Sequence, residues 1–235
     1  MSDFTNHLPL SQRSGDDESA VTGDRRPLIG QTLHLVADLL ESLDAADWDR
    51  PSLCAGWRVR DVAGHLVWRV GSTGPELARS AASAVLRDRV SPLKVLDATA
   101  RRAAEAPPAE LTRRLREIAD ARLAGHGRHG VHELAEAVVH GYDIARALDR
   151  TLNVPANSTG AVALARTVAA PAGIKAVVRG RTLVAADAGW TIGRGPKIEG
   201  TAEAHILFLY GRSDRLPTPL AGVIPPEKLP DRPDA

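Results

Sequence analysis

The sequence predicts an α+β protein: a helical bundle followed by a small α/β unit. Three observations predict it. Apolar residues recur at helical spacing from about residue 27 to residue 150. The character changes near Thr151-Leu152-Asn153-Val154-Pro155. Beyond that point, short strand-like runs surround an Asp187-Ala188-Gly189 turn.

Composition narrows the function. The chain has 235 residues, enough for a real core in one or two domains. A net charge of +1 sets up no global field for nucleic acid. Aromatic content of 3% disfavours base-stacking platforms. Cys54 is the only cysteine, which excludes an internal disulfide framework and a thiolate zinc cage. No apolar run reaches the ~20 residues of a membrane span, and the N-terminus lacks a signal-peptide core. A cytoplasmic monomer is the expectation.

Residues 1–24 are polar and aperiodic, and read as a disordered leader. A first helix starts near Pro27, with Asp24 as a cap, and buries Ile29, Leu33, Val36, Leu40 and Leu43. The loop Trp48 to Trp57 is punctuated by Pro51 and Gly56. The next helix, about Arg58 to Val70, buries Val59, Val62, Ala63, Leu66 and Val70. His65 lies at the edge of that face, and Asp61 is placed one turn earlier to orient its ring. Leu93, Leu96 and Ala100 pattern one further helix, and Leu111, Leu115 and Ile118 the next. His126 and His129 share a Gly-rich loop, a weak metal signal.

The helix from Gly130 to Arg150 carries the chemistry. Val131, Leu134, Val138, Ala145 and Leu148 form its core face. Beside it runs a stripe of Glu133, Glu136, His140 and Asp143. Glu136 and His140 are one turn apart, roughly 6 Å along the axis, and can bind one ion. His132 lies eight residues from His140, about 12 Å of rise, too far to share that ion. A solvated polar face is the competing reading. Helix Thr159 to Ala169 follows. Lys175–Val178, Thr182–Ala185 and Asp187–Ile192 read as strands and turn, and a last helix is capped by Thr201 and stopped by Gly211. Residues 217–235 form a Pro-rich tail.

Three local patterns occur in order: Trp48…Pro51-Ser52-Leu53-Cys54-Ala55-Gly56-Trp57 through His65-Leu66; Glu136-Ala137-Val138-Val139-His140-Gly141-Tyr142-Asp143; and Gly189-Trp190-Thr191-Ile192 followed by Glu199-Gly200-Thr201 through Tyr210-Gly211-Arg212. Together they resemble the mycothiol-dependent maleylpyruvate isomerase family over residues 28 to 215. The resemblance implies a DinB-like four-helix metal-binding bundle, residues 25–152, and a small α/β sterol-carrier-like domain, residues 156–216. It implies a divalent metal, Zn²⁺ or another, on His65, Glu136 and His140, with mycothiol as cofactor. Family members commonly carry Trp at the place of Tyr142 and an Arg or similar residue at the place of Gly141. The expected activity is thiol transfer or isomerisation on a small electrophile, because a metal-bound thiol loses its proton readily. Arg212 would pair with a substrate carboxylate, or serve only the helix end. Asp143 and Glu133 are candidates for proton transfer or support of the ligands, or exposed acids. Cys54 reads as a packing residue of the loop rather than a nucleophile. Metal-dependent hydrolysis by bound water, or a non-catalytic ligand-binding bundle, are the alternatives.

Overall fold

The computed structural model describes residues 23–77, 79 and 92–212. The Pro-rich tail and all but the end of the leader lie outside the described residues, as do the side chains of Leu93 and Leu96.

The first part of the chain includes α1 (Arg26–Glu41), α2 (Ala45–Trp48), α3 (Val59–Gly71), α4 (Pro92–Ala103), α5 (Pro108–Leu123) and α6 (Val131–Ala147). Helices α1 and α3 each pack on both α5 and α6, which makes a four-helix bundle with α4 laid against α3. The expected stripes fill it: Ile29, Leu33, Val36 and Leu40 from α1, Val59, Val62, Ala63, Leu66 and Val70 from α3, and Leu134, Val138 and Ala145 from α6 are buried. Pro27 occupies the first turn of α1, and Asp24 accepts the Arg26 backbone N–H at 2.9 Å.

Asp61 has a different job from the one expected. It is fully buried, and it accepts bonds from the Arg58 backbone N–H at 2.9 Å and the Arg58 Nε at 3.1 Å. It thus holds the first turn of α3 rather than the His65 ring, whose buried Nδ1 has no hydrogen-bond partner.

The second part adds α7 (Ala156–Val168), α8 (Ala172–Val178), β1 (Thr182–Ala185), β2 (Trp190–Gly193), β3 (Lys197–Gly200) and α9 (Ala202–Leu209). The sheet order is β2-β1-β3, with β1 antiparallel to β2 and parallel to β3. Leu183 on the central strand pairs with Ile192 and with Ile198. Leu183, Ile198, Ile206 and Val162 join the bundle residues in one continuous core. Helix α7 packs on α6 and α9, and α9 packs on α6 and β1. Thr201 accepts the Ala204 N–H at 3.1 Å, and Gly211 leaves the helix at φ +79°, a conformation suited to glycine. The architecture is α+β, as the sequence predicts.

Lys175–Val178 is not a strand but part of α8. Pro171 introduces that helix, and Ile174, Val177 and Val178 sit three and four residues apart, which puts all three against the core. Among the described residues no single helix is long and apolar enough to cross a membrane.

Two glycines sit at points of close approach. A Cβ on Gly141 would lie 2.8 Å from the Leu152 side chain and 2.9 Å from the Val36 side chain, whose ends would have to shift to admit it. A Cβ on Gly64 would lie 2.6 Å from the Ala104 backbone nitrogen and 2.8 Å from the Ala100 oxygen. Gly64→Ala should therefore destabilise the fold by about 1–3 kcal/mol through overpacking, against a helix-propensity gain of about 1 kcal/mol. Urea unfolding measures the balance; a stabilised variant would contradict this packing of α3 on α4.

Candidate metal centre and cleft

Helices α3 and α6 bring three ligand-type side chains together. His65 Nε2 lies 3.2 Å from Glu136 Oε2, and His140 Nε2 lies 3.3 Å from the same oxygen. All three donor atoms fall within 4.8 Å of one another. Two bonds of ~2.0–2.2 Å at a tetrahedral angle span roughly 3.3–3.6 Å, so the spacing suits one small divalent cation. Two imidazoles and a carboxylate form a donor set typical of zinc with a position left open. His126 and His129 belong to neither of the two ligand clusters found among the described residues.

The trio is held from outside. Arg69 Nε donates to Glu136 Oε1 at 3.1 Å, which leaves Oε2 for the histidines. Trp57 and Trp68 flank His65, with ring centres 5.1 and 6.1 Å away. Trp57 is pinned by its Nε1–H donating to Asp97 at 2.7 Å.

Asp143 is fully buried behind His140, with Oδ2 3.0 Å from Nδ1. It therefore turns Nε2 toward Glu136, the arrangement by which a carboxylate orients a ligating histidine. Its Oδ2 also accepts from the Cys54 Sγ–H at 3.1 Å. Arg212 closes the group as a two-pronged donor, Nε to Oδ1 at 3.0 Å and Nη2 to Oδ2 at 2.9 Å. The third nitrogen, Nη1, donates to the Tyr210 carbonyl at 2.7 Å. Arg212 thus meets a carboxylate of the protein itself.

Cys54 enters the group through its loop. Ser52 accepts the Cys54 N–H at 3.1 Å, the Trp57 N–H donates to the Cys54 carbonyl at 3.0 Å, and Gly56 supplies the positive φ. The Leu53 N–H donates to the Asp143 carbonyl, fastening the loop to α6. Nothing in the local spacing of the sequence could have placed Cys54 against residues 86 and 89 positions away.

The charges are coupled. Burial would raise Glu136, but hydrogen bonds from His140 and His65 outweigh it and hold the carboxyl well below its usual range. Burial would lower His140, but the bonds to Asp143, Cys54 and Glu136 hold it well above the usual histidine value. Burial dominates at His65 and pushes it down. Asp143 is kept low by His140 and Arg212 against its own burial. Without a cation the centre therefore carries a carboxylate, a cationic His140 and a neutral His65.

Glu133 does not join the trio. It is buried, and Arg122 donates to its Oε1 from Nη2 at 2.6 Å and from Nε at 3.1 Å. Arg122 Nη2 also reaches the Val70 carbonyl at 2.6 Å, tying α5 to the end of α3.

A cleft of about 320 Å³ opens beside Glu136 and His140, with His65 buried behind them. It is lined by Arg69, His132, Glu136 and His140 from the bundle and by Arg166, Tyr210 and Arg212 from the second part. Burial raises the Tyr210 hydroxyl above its ordinary value.

Arg122→Met should destabilise the protein by up to about 3–5 kcal/mol, because it removes both hydrogen bonds to buried Glu133 and leaves it only the longer contact to Arg128 Nε at 3.7 Å. Chemical denaturation reads this directly. A loss under 1 kcal/mol would show that the pair is not the bundle's internal tie.

Residues 30–130 match the family profile described as the mycothiol maleylpyruvate isomerase N-terminal domain. None of the curated proteins compared matches. The crystal structure of the mycothiol-dependent maleylpyruvate isomerase superposes with a TM-score of 0.51 at 17% identity, over 88% of this chain and 91% of that one. A histidine-to-alanine mutant of that protein gives 0.50 at 15%, with the same coverage. At these identities the likeness is one of fold. Residues 30–130 thus match the mycothiol maleylpyruvate isomerase N-terminal domain, in line with the sequence resemblance, in a chain whose fold is like that of the mycothiol-dependent maleylpyruvate isomerase.

Proposed function

We propose that the protein is a metal-dependent thiol enzyme, a mycothiol-dependent isomerase or S-transferase acting on a small electrophile. The observation that carries this reading is the convergence of His65 Nε2 and His140 Nε2 on one oxygen of Glu136, a residue that lines the cleft together with His140. His65, Glu136 and His140 would hold the cation. Bound there, a divalent cation such as zinc supplies positive charge that favours a thiolate over a thiol in the open position.

The chain's own groups do the rest. Asp143 fixes the His140 ring and balances its charge. Arg212 keeps Asp143 ionised. The Trp57 and Trp68 rings exclude water around His65. Tyr210, a phenol that stays protonated at neutral pH, can donate a hydrogen bond to an oxygen of a substrate in the cleft. Isomerisation needs the thiol to add, the former double bond to rotate and the thiol to leave; conjugation stops after the addition.

Elemental analysis and calorimetric titration with mycothiol test the reading. About one zinc per chain and thiol binding are expected in wild type, and both are lost in His140→Ala. A variant that keeps stoichiometric zinc would remove the assignment. Zinc without thiol binding would favour hydrolysis by activated water instead.

The proton balance gives a second test. His140 is protonated above its usual range when the site holds no cation, so a cation must displace that proton. Zinc affinity should rise with pH near neutrality. Titrations in two buffers of different ionisation enthalpy should show net proton release. Asp143→Asn should weaken zinc about 10- to 100-fold by loosening His140. Proton uptake on binding would contradict this charge state.

A further inference from the structure

The cleft is cationic, yet its three arginines are not equivalent. Arg69 donates to Glu136, and Arg212 is locked on Asp143 by two bonds. Arg166 makes no ion pair among the described residues. Its Nε donates to the Leu209 carbonyl at 3.0 Å, at the last turn of α9. Its guanidinium carbon lies 4.7 Å from the centre of the Tyr210 ring. The carbonyl fixes Nε, the aromatic face supports the plane, and the two terminal nitrogens are left for a ligand.

We propose that Arg166, rather than Arg212, is the anion-binding residue of the cleft, and that it selects substrates bearing a carboxylate. The inference rests on the reading of the cleft as the thiol and electrophile site. Three features support it. Arg166 and His140 line the same cleft of about 320 Å³, large enough for a small acid beside the trio. The carboxylates that neutralise the other two arginines are residues of the protein, whereas Arg166 has only a carbonyl and a ring. A planar fork held on one nitrogen and stacked on an aromatic ring is preorganised for a two-point carboxylate contact.

Arg166 can also be read as a helix-end cap on α9, because cations are favoured near exposed carbonyls there. The two roles separate experimentally. A cap changes stability alone, whereas an anion-binding residue changes discrimination between an acid and its ester.

The probes are succinate and dimethyl succinate, titrated calorimetrically into the full chain, zinc-loaded if it binds zinc. Wild type should bind the diacid more tightly than the diester. Arg166→Gln should reduce that preference on the order of 10- to 100-fold, the strength of a charge-assisted hydrogen-bond pair. Arg166→Lys should restore part of it. Arg179→Gln, an exposed site outside the cleft, should leave it unchanged.

Equal binding of acid and ester by wild type would overturn the proposal. So would a preference that survives Arg166→Gln, or one that falls as far in Arg179→Gln. These titrations involve neither mycothiol nor turnover. Failure of thiol binding would therefore count against the thiol reading alone, and a flat succinate comparison in a protein that binds mycothiol would count against Arg166 alone.

Discussion

A buried carboxylate organises the site. Asp143 has no solvent exposure, and a lone carboxylate there would be costly to ionise. It is compensated by three groups from three parts of the chain: His140 on its own helix, Cys54 on the loop before α3, and Arg212 after α9. Each compensating bond is also a positional constraint. The first aims an imidazole at Glu136, the second seats the loop that carries Trp57, and the third brings the end of the chain's second part onto the bundle. The stability of a charge and the geometry of a reactive site are met by the same contacts.

That coupling explains why the trio can sit in a well-packed bundle. Glu136 receives His65, His140 and Arg69, so its charge is balanced without a partner from the core. The larger buried pair, Arg122 with Glu133, ties α5 to α6 independently. Two adjacent acids on one helix thus serve different ends. Glu133 and Glu136 are three residues apart, but one turns toward α5 and the other toward α3 and the cleft.

The helical parts were legible because periodicity reports burial directly. The stripes of α1, α3, α5 and α6 all point inward. The pairing of Glu136 with His140 was legible for the same reason, since one helical turn fixes their separation. His65 needed more than periodicity: at the edge of an apolar face a satisfied, partly buried histidine is the commoner reading, and the family resemblance singled it out. What periodicity could not supply was long-range. Cys54 meets Asp143 only because the loop's hydrogen bonds curl it inward. Spacing left Arg212 open between a substrate carboxylate and the helix end, and could not show its two bonds to the internal acid Asp143. The α8 segment read as a strand because two adjacent valines favour extended chain, yet the entry at Pro171 and packing on one side decided for helix.

The site is divided between two kinds of structure. The bundle contributes His65, Glu136 and His140, whose positions follow from rigid helices packed at close range, as at Gly64, where a Cβ would meet the Ala104 backbone nitrogen at 2.6 Å. The second part contributes the opposing wall: Arg166, Tyr210 and Arg212, carried by α7 and by the end of α9. Ligand geometry must hold to within tenths of an ångström, which helices at full packing provide. A substrate wall needs chemical complementarity more than fixed distance. Because Arg212 anchors that wall through Asp143, the same carboxylate that aims His140 also sets how closely the wall approaches the open side of the trio. A change in the wall's residues can then alter which molecule is admitted while the histidines and Glu136 keep their places.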